Sequence, residues 1–272
     1  MPVDMTALAA DLAAESAVTR ALVAGLDETG WLTPTPAAGW IIKDQVSHLA
    51  YFDEVAVKSA VRPDEFRAEL AAGLDHLDPD LLAARYRVRT GADLLAWFDT
   101  ARAELLGTFK GLDPQQRLPW FGPAMSAASS LTARLMETWA HTQDIADALG
   151  VTREPTARLR HVAHIGVGAR AFSYAARGRA MPDTPVRVEL TAPDGAVWTW
   201  GPADAAERVT GTALDFCLLV TQRRHRDDLA LTIAGDAARD WMAIAQAFAG
   251  PPGPGREPLG AADRPGQRDG LR

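Results

Sequence analysis

Apolar positions recur at helical spacing through residues 3–28, "VDMTALAADLAAESAVTRALVAGLDE", with no breaker before Gly25, and predict a first amphipathic helix. "TGWLTPTPAAGW" follows as a loop rich in Pro and Gly. "IIKDQVSHLAYFDEVAVKSAV" predicts a second helix stopped near Pro63, with Asp44 in its first turn where the helix dipole favours an acid. Residues 64–90 are polar, broken by Gly73 and Pro79, and read as a connection with short helical pieces. "GADLLAWFDTARAELLGTFKGL" is a third helix, ended by Gly111 and Pro114, and "QRLPWFGPAMS" is a loop. "SAASSLTARLMETWAHTQDIADALG" is a fourth helix that Gly150 terminates. Four long helices, each with one apolar face, form a bundle.

After residue 155 the pattern changes. "ARLRHVAHIGVGARAFSYAARG" predicts one further helix, and "PVRVELTAPDGAVWTWG" alternates on both sides of Pro193, Asp194 and Gly195 as a hairpin does. "TGTALDFCLLVTQRRH" reads as a helix, "LALTIAG" as a strand and "DAARDWMAIAQAFA" as a closing helix. From residue 251 the chain is Pro/Gly-rich and polar, the composition of a disordered tail. The expectation is an α+β protein with a helical bundle over 1–155, a smaller α/β domain over 156–250 and a tail over 251–272.

Composition narrows what such a chain does. With 47% hydrophobic and 23% charged residues among 272, it can build a sizeable core. A net charge of −7 opposes nucleic acid as the main partner, because phosphate binding needs a basic face. No run approaches the length needed to span a bilayer and no leader pattern opens the chain, so a cytoplasmic location is expected. The single cysteine, Cys217, excludes an internal disulfide, and within "ALDFCLLV" it reads as a small buried hydrophobe. Neither a Gly-rich nucleotide loop nor a G-x-S-x-G nucleophile is present.

The candidate chemistry lies in "RLMETWAHTQDIADALG" and "KDQVSHLAYF". Glu137 and His141, four apart, leave one face of the fourth helix. His48 sits mid-helix on the second, and two bundle helices facing one cleft can bring all three together. Two imidazoles and a carboxylate form a three-ligand set for zinc or a similar divalent ion, with one position open. Spacing alone leaves the other reading standing, since E-x-x-x-H pairs arise by chance and a mid-helix histidine is often a core residue.

"PAAGWIIKDQVSHLAYFDEVA" resembles the GW…D…HL signature of the DinB-like superfamily, in its mycothiol-dependent maleylpyruvate isomerase branch. "ETWAHTQDIADALG" resembles the matching E-x-x-x-H-x-x-D signature, and the second half is similar to that branch's C-terminal α/β domain. The resemblance covers about residues 5–250 and implies His48, Glu137 and His141 as metal ligands. It further implies a low-molecular-weight thiol, mycothiol, and a small electrophilic substrate. Where the family carries Ser or Thr after the GW pair this chain has Ile41, which removes that side-chain cap.

Other residues keep two readings. Asp44 and Asp144, one helical turn from His48 and His141, could take the ring N–H of their histidines and serve catalysis; equally, Asp44 is a first-turn dipole residue and Asp144 a solvated charge. Arg223, Arg224, His225 and Arg226 suit a helix C-terminus. The resemblance implies in addition that Arg224, the best-aligned arginine, serves the site by clamping a substrate or cofactor carboxylate. His161 and His164 lack a nearby carboxylate and read as packing residues, and His76 as solvated. The expected activity is thiol-dependent S-transfer or isomerisation, with metal-activated hydrolysis or lysis, or non-enzymatic metal and small-molecule binding, as rivals. An exposed bundle face could support a homodimer.

Overall fold

The computed structural model describes residues 3–73, 79–253 and 255–260; His76 and most of the predicted tail lie outside them. The chain divides into two compact units, Met1–Arg153 and Glu154–Arg272.

The first unit is built on four long helices: α1 (Met5–Val23), α3 (Ile42–Val61), α6 (Gly91–Lys110) and α7 (Ala127–Ala148). Three of them start where a side chain takes the orphan N–H groups of a first turn. Asp4 accepts from Thr6 N at 2.9 Å and Ala7 N at 3.1 Å, Thr90 from Asp93 N and Ser126 from Ser129 N, both at 3.1 Å. At α3 the N-cap is Ile41, which has no polar side chain, and the cap is closed from the other direction. Asp44 Oδ2 accepts the Ile41 N–H at 2.8 Å, the return half of a capping box. The first helix ends five residues earlier than its pattern predicts, because Asp27 takes the Gly30 N–H at 2.7 Å and begins a separate turn, α2 (Glu28–Trp31). Trp31 then lies so close to Gly91 that a Cβ there would sit 2.2 Å from the indole, so only glycine opens α6.

The connection after α3 holds two short helices, α4 (Pro63–Ala71) and α5 (Pro79–Arg85). The predicted loop before α7 contains a two-stranded ribbon, β1 (Arg117–Leu118) with β2 (Met125–Ser126). The apolar centre of the unit includes Trp31, Ile42, Val46, Leu49, Leu94, Phe98 and Ile145. Beside it runs a buried polar network joining all four long helices. Arg102 of α6 donates to Asp53 Oδ2 of α3 at 2.6 Å, to Ser16 Oγ of α1 at 2.5 Å and to Thr138 Oγ1 of α7 at 3.0 Å. Arg134 of α7 donates to Asp53 Oδ1 at 2.9 Å and to Leu49 O at 3.1 Å. Asp53 is fully buried and its one carboxylate is shared by both guanidiniums, so each of the three charges has an opposite partner.

The second unit surrounds a four-stranded sheet of order β4-β3-β5-β6. β3 (Val186–Thr191) and β4 (Val197–Trp200) form the predicted hairpin, Val188 opposite Trp200. β5 (Glu207–Thr212) pairs parallel to β3, Val188 opposite Val209, and β6 (Thr232–Ala234) closes the other edge. Three expectations need correction here. Residues 157–178 are two helices, α8 (Leu159–Gly168) and α9 (Arg170–Ala175). The chain pivots at Ala169 because α8 packs on α10, whereas α9 turns toward α11, where Tyr174 donates to Asp240 at 2.9 Å. "TGT" belongs to β5, and α10 (Ala213–Val220) begins only after Thr212, whose hydroxyl accepts Asp215 N at 3.0 Å. α10 ends before the basic run: Gln222 takes a left-handed conformation (φ 57°) and Arg223 N reaches back to Leu218 O at 2.8 Å, a Schellman stop. The closing helix α11 (Asp236–Ile244) also stops early, since Ala247 N turns away to bond Val220 O at 2.8 Å.

Candidate metal centre

His48 projects from the middle of α3, and Glu137 and His141 from adjacent turns of α7, which packs against α3. Glu137 Oε2 lies 3.2 Å from His141 Nε2 and 3.9 Å from His48 Nε2, and one ligand atom from each of the three residues falls within 4.8 Å of the others. Tetrahedral coordination at zinc bond lengths separates ligand atoms by about 3.4 Å, so the trio is near that geometry before any adjustment. The side chains are 14%, 20% and 10% exposed, mostly buried but each retaining some accessible surface. Among the described residues no second set of three such groups converges.

The electrostatics suit a cation. Burial pushes the Glu137 carboxyl upward, but the His141 hydrogen bond and the charges of His141, His48 and Arg134 outweigh it and leave it lowered to about 2. Glu137 is therefore an anion at neutral pH. His141 is held by Gln45, one turn before His48 on α3: Gln45 Oε1 lies 2.5 Å from His141 Nδ1, while Gln45 Nε2 donates to Thr35 Oγ1 at 2.9 Å. With the amide nitrogen used on Thr35, the oxygen accepts the Nδ1–H, which makes Nε2 the ring nitrogen available to an ion, in exchange for its hydrogen bond to Glu137. The sequence reading overlooked Gln45, although its i, i+3 relation to His48 placed it on the same face.

The other candidate residues fall elsewhere. Both oxygens of Asp44 are taken by the Arg87 guanidinium, at 2.8 Å to Oδ1 and 2.6 Å to Oδ2, together with the Ile41 N–H. Asp44 thereby fastens the start of α3 to the chain after α5. Asp144, three residues beyond His141 on α7, is fully buried rather than a solvated charge. Arg224 follows α10 in the second unit, where its Nη1 donates to Arg223 O at 2.7 Å. It lines a cavity of about 170 Å³ together with Arg177, His225, Arg226 and Arg256. His164 accepts from Trp200 Nε1 at 3.4 Å, and His225 Nδ1 from Asp227 N at 3.2 Å. Burial pushes the Cys217 thiol well up, so it is an inert core group.

The family model described as the mycothiol maleylpyruvate isomerase N-terminal domain matches residues 12–146, a stretch that holds all three converging side chains. Two uncharacterized proteins of Mycobacterium tuberculosis, from two strains, are 48% identical over 250 residues, covering 91% of this chain and 97% of theirs. Crystal structures of the mycothiol-dependent maleylpyruvate isomerase and of a histidine-to-alanine variant align with a TM-score of 0.57. They cover 85% of this chain and 93% of their own at 14% and 13% identity. The chain belongs to the DinB-like, maleylpyruvate isomerase-type family. A second family model, described as wyosine base formation, matches residues 182–232 of this maleylpyruvate isomerase-type chain, the stretch from before β3 to the start of β6. Among the described residues no helix is long and apolar enough to cross a membrane.

Proposed function

We propose that His48, Glu137 and His141 hold one divalent ion, zinc by ligand type, and that the protein uses it to act with a low-molecular-weight thiol of the mycothiol kind on a small electrophile. The convergence of two imidazole nitrogens and one ionised carboxylate inside the family-matched region carries this reading. The donor set fits the ion: imidazole nitrogen and carboxylate oxygen are donors that an ion of the zinc kind accepts, and three protein ligands leave a position for an exogenous one. The chemistry a divalent ion supplies when bound is acidification of a coordinating thiol.

The chain's own residues supply the rest. Glu137 contributes the negative charge, Gln45 sets the tautomer of His141, and Asp44 with Arg87 fixes the first turn of α3, from which Gln45 and His48 project. The sulfur arrives with the cofactor, because Cys217 is sealed in the other unit. The reaction class is addition of that thiol to an electrophilic carbon, ending as S-transfer or, after rotation and elimination, as cis–trans isomerisation. Arg224 is proposed to bind an anionic group of substrate or cofactor, consistent with the arginines gathered around its cavity. A cytoplasmic location and a division of labour between a metal-binding bundle (1–155) and an α/β domain (156–250) belong to the same proposal.

The experiment is a mycothiol titration of the cobalt-substituted protein. A new sulfur-to-cobalt charge-transfer band on addition supports thiol ligation. A spectrum that does not change, in a protein that holds cobalt, refutes the thiol and favours hydrolysis by a metal-activated water.

A further inference from the structure

A continuous strip of aromatic rings leads away from the three converging side chains. Trp40 packs against His48, with ring centroids 5.5 Å apart, and stacks on His141 at 5.8 Å with planes 20° apart. His48 touches Phe52 at 4.6 Å, Phe52 meets Phe121 at 6.1 Å, and Phe121 meets Trp120 at 5.1 Å and Phe66 at 5.6 Å. Trp40, Phe52 and Trp120 are only partly buried and Phe121 is 40% exposed, whereas Phe66 beneath them is buried, so the strip lies at the edge of the core and is partly open to solvent. Its far end is a built feature: the loop between β1 and β2 carries Trp120 and Phe121, and Ser59 of α3 tethers it by donating to Pro119 O at 2.5 Å. There the strip ends in a small cavity of about 50 Å³ lined by Tyr51, Phe66, Leu70 and Phe121.

Most of the cations beside this path already have partners; an exception is the exposed Arg85 at its far end, whose charge reaches Tyr51. Lys43 donates to the carbonyl of Arg89 at 2.7 Å and lies 3.1 Å from Glu28. Arg87 is held by Asp44, Lys58 by Glu65 and Glu69, and Arg134 by Asp53. Cations already paired to carboxylates are poorer receptors for a second anion than free ones, whereas partly exposed rings beside a cation site suit a flat π-system.

We infer that the electrophile handled at this centre is a flat, conjugated molecule whose uncharged, unsaturated body lies along the Trp40–Phe52–Phe121 strip. The inference rests on the metal reading above and adds the class of substrate to it.

The test uses three hydroxamates that share one metal-binding head, titrated into the full-length cobalt protein and followed in its visible spectrum. Benzohydroxamate is expected to bind at least about tenfold more tightly than acetohydroxamate, the factor that about 1.4 kcal/mol represents. Succinic monohydroxamate, which adds a carboxylate, should gain nothing over acetohydroxamate. In Phe121→Ala and Phe52→Leu, with cobalt retained, the aryl preference should shrink to within about threefold. Equal affinities of the first two ligands, tightest binding of the carboxylate-bearing one, or an aryl preference untouched by both variants overturns the inference while leaving the metal reading intact. A protein that takes up no cobalt overturns both.

Discussion

The two units bury different kinds of side chain. In the second, the described core includes Val188, Leu190, Val209, Phe216, Cys217, Val220 and Trp241, with Ser173, Thr221 and Gln246 as its buried polar residues. In the first, Glu15, Lys43, Asp44, Asp53, Arg102, Arg134, His141 and Asp144 are all buried. Replacing a buried ion pair by apolar residues is often neutral or stabilising, so stability does not explain such a concentration of charge. Several of these groups instead surround or support the trio: Arg134 stands three residues before Glu137, Asp44 anchors the helix of His48, and His141 is a member. The contrast is the one expected if, as proposed, the bundle carries the site and the sheet domain is built for packing.

The sharpest way to break the contrast is to remove the anion at the heart of the bundle. Asp53→Ala leaves Arg102 and Arg134 buried without a counter-charge, and denaturant titration should show a loss of about 3–5 kcal/mol. Metal content should fall with it. If the loss is under about 1 kcal/mol, the network is not holding the four helices together. Phe216→Ala tests the other side: emptying the second unit's core should cost about 3–4 kcal/mol as a cavity, yet leave metal per folded chain unchanged. A smaller effect is expected from Gln45→Ala, which frees the His141 ring; metal affinity should drop about 10- to 100-fold with the far-ultraviolet spectrum preserved.

The smallest effect is one of pH. In the metal-free protein the Glu137 carboxyl lies below its ordinary value, so the stability it contributes is fully present above the ordinary carboxylate range and is lost as pH falls from there toward about 2. The stability difference between wild type and Glu137→Gln should therefore be flat near neutrality and shrink through that acid window. A difference that persists unchanged at the acid end would contradict the electrostatic description of the trio.

Much of this organisation is legible in the chain because it is local. The spacing of Glu137 and His141 within one helix, and the apolar stripes that make α3 and α7 pack, need no distant partner to be seen. Gln45 was missed because an amide has no metal-binding signature of its own; its role exists only once α3 faces α7. The Asp53–Arg102–Arg134 network was invisible for the same reason, since its members are 49 and 81 residues apart and each reads alone as an ordinary helix charge. The last residues of strand β5, Thr210, Gly211 and Thr212, read as the start of the following helix because they run straight into the helical pattern; pairing with β3 decides their conformation. The basic run at 223–226 looked like a helix end because nothing local announces that Gln222 turns left-handed.

The central claim, that two helices grip a single cation through three side chains, is tested most directly by counting metal in the purified protein and in His48→Ala. About one equivalent of a divalent ion per wild-type chain and almost none in the variant, with both folded to the same helix content, is the predicted result. Equal metal content in the two proteins would contradict it.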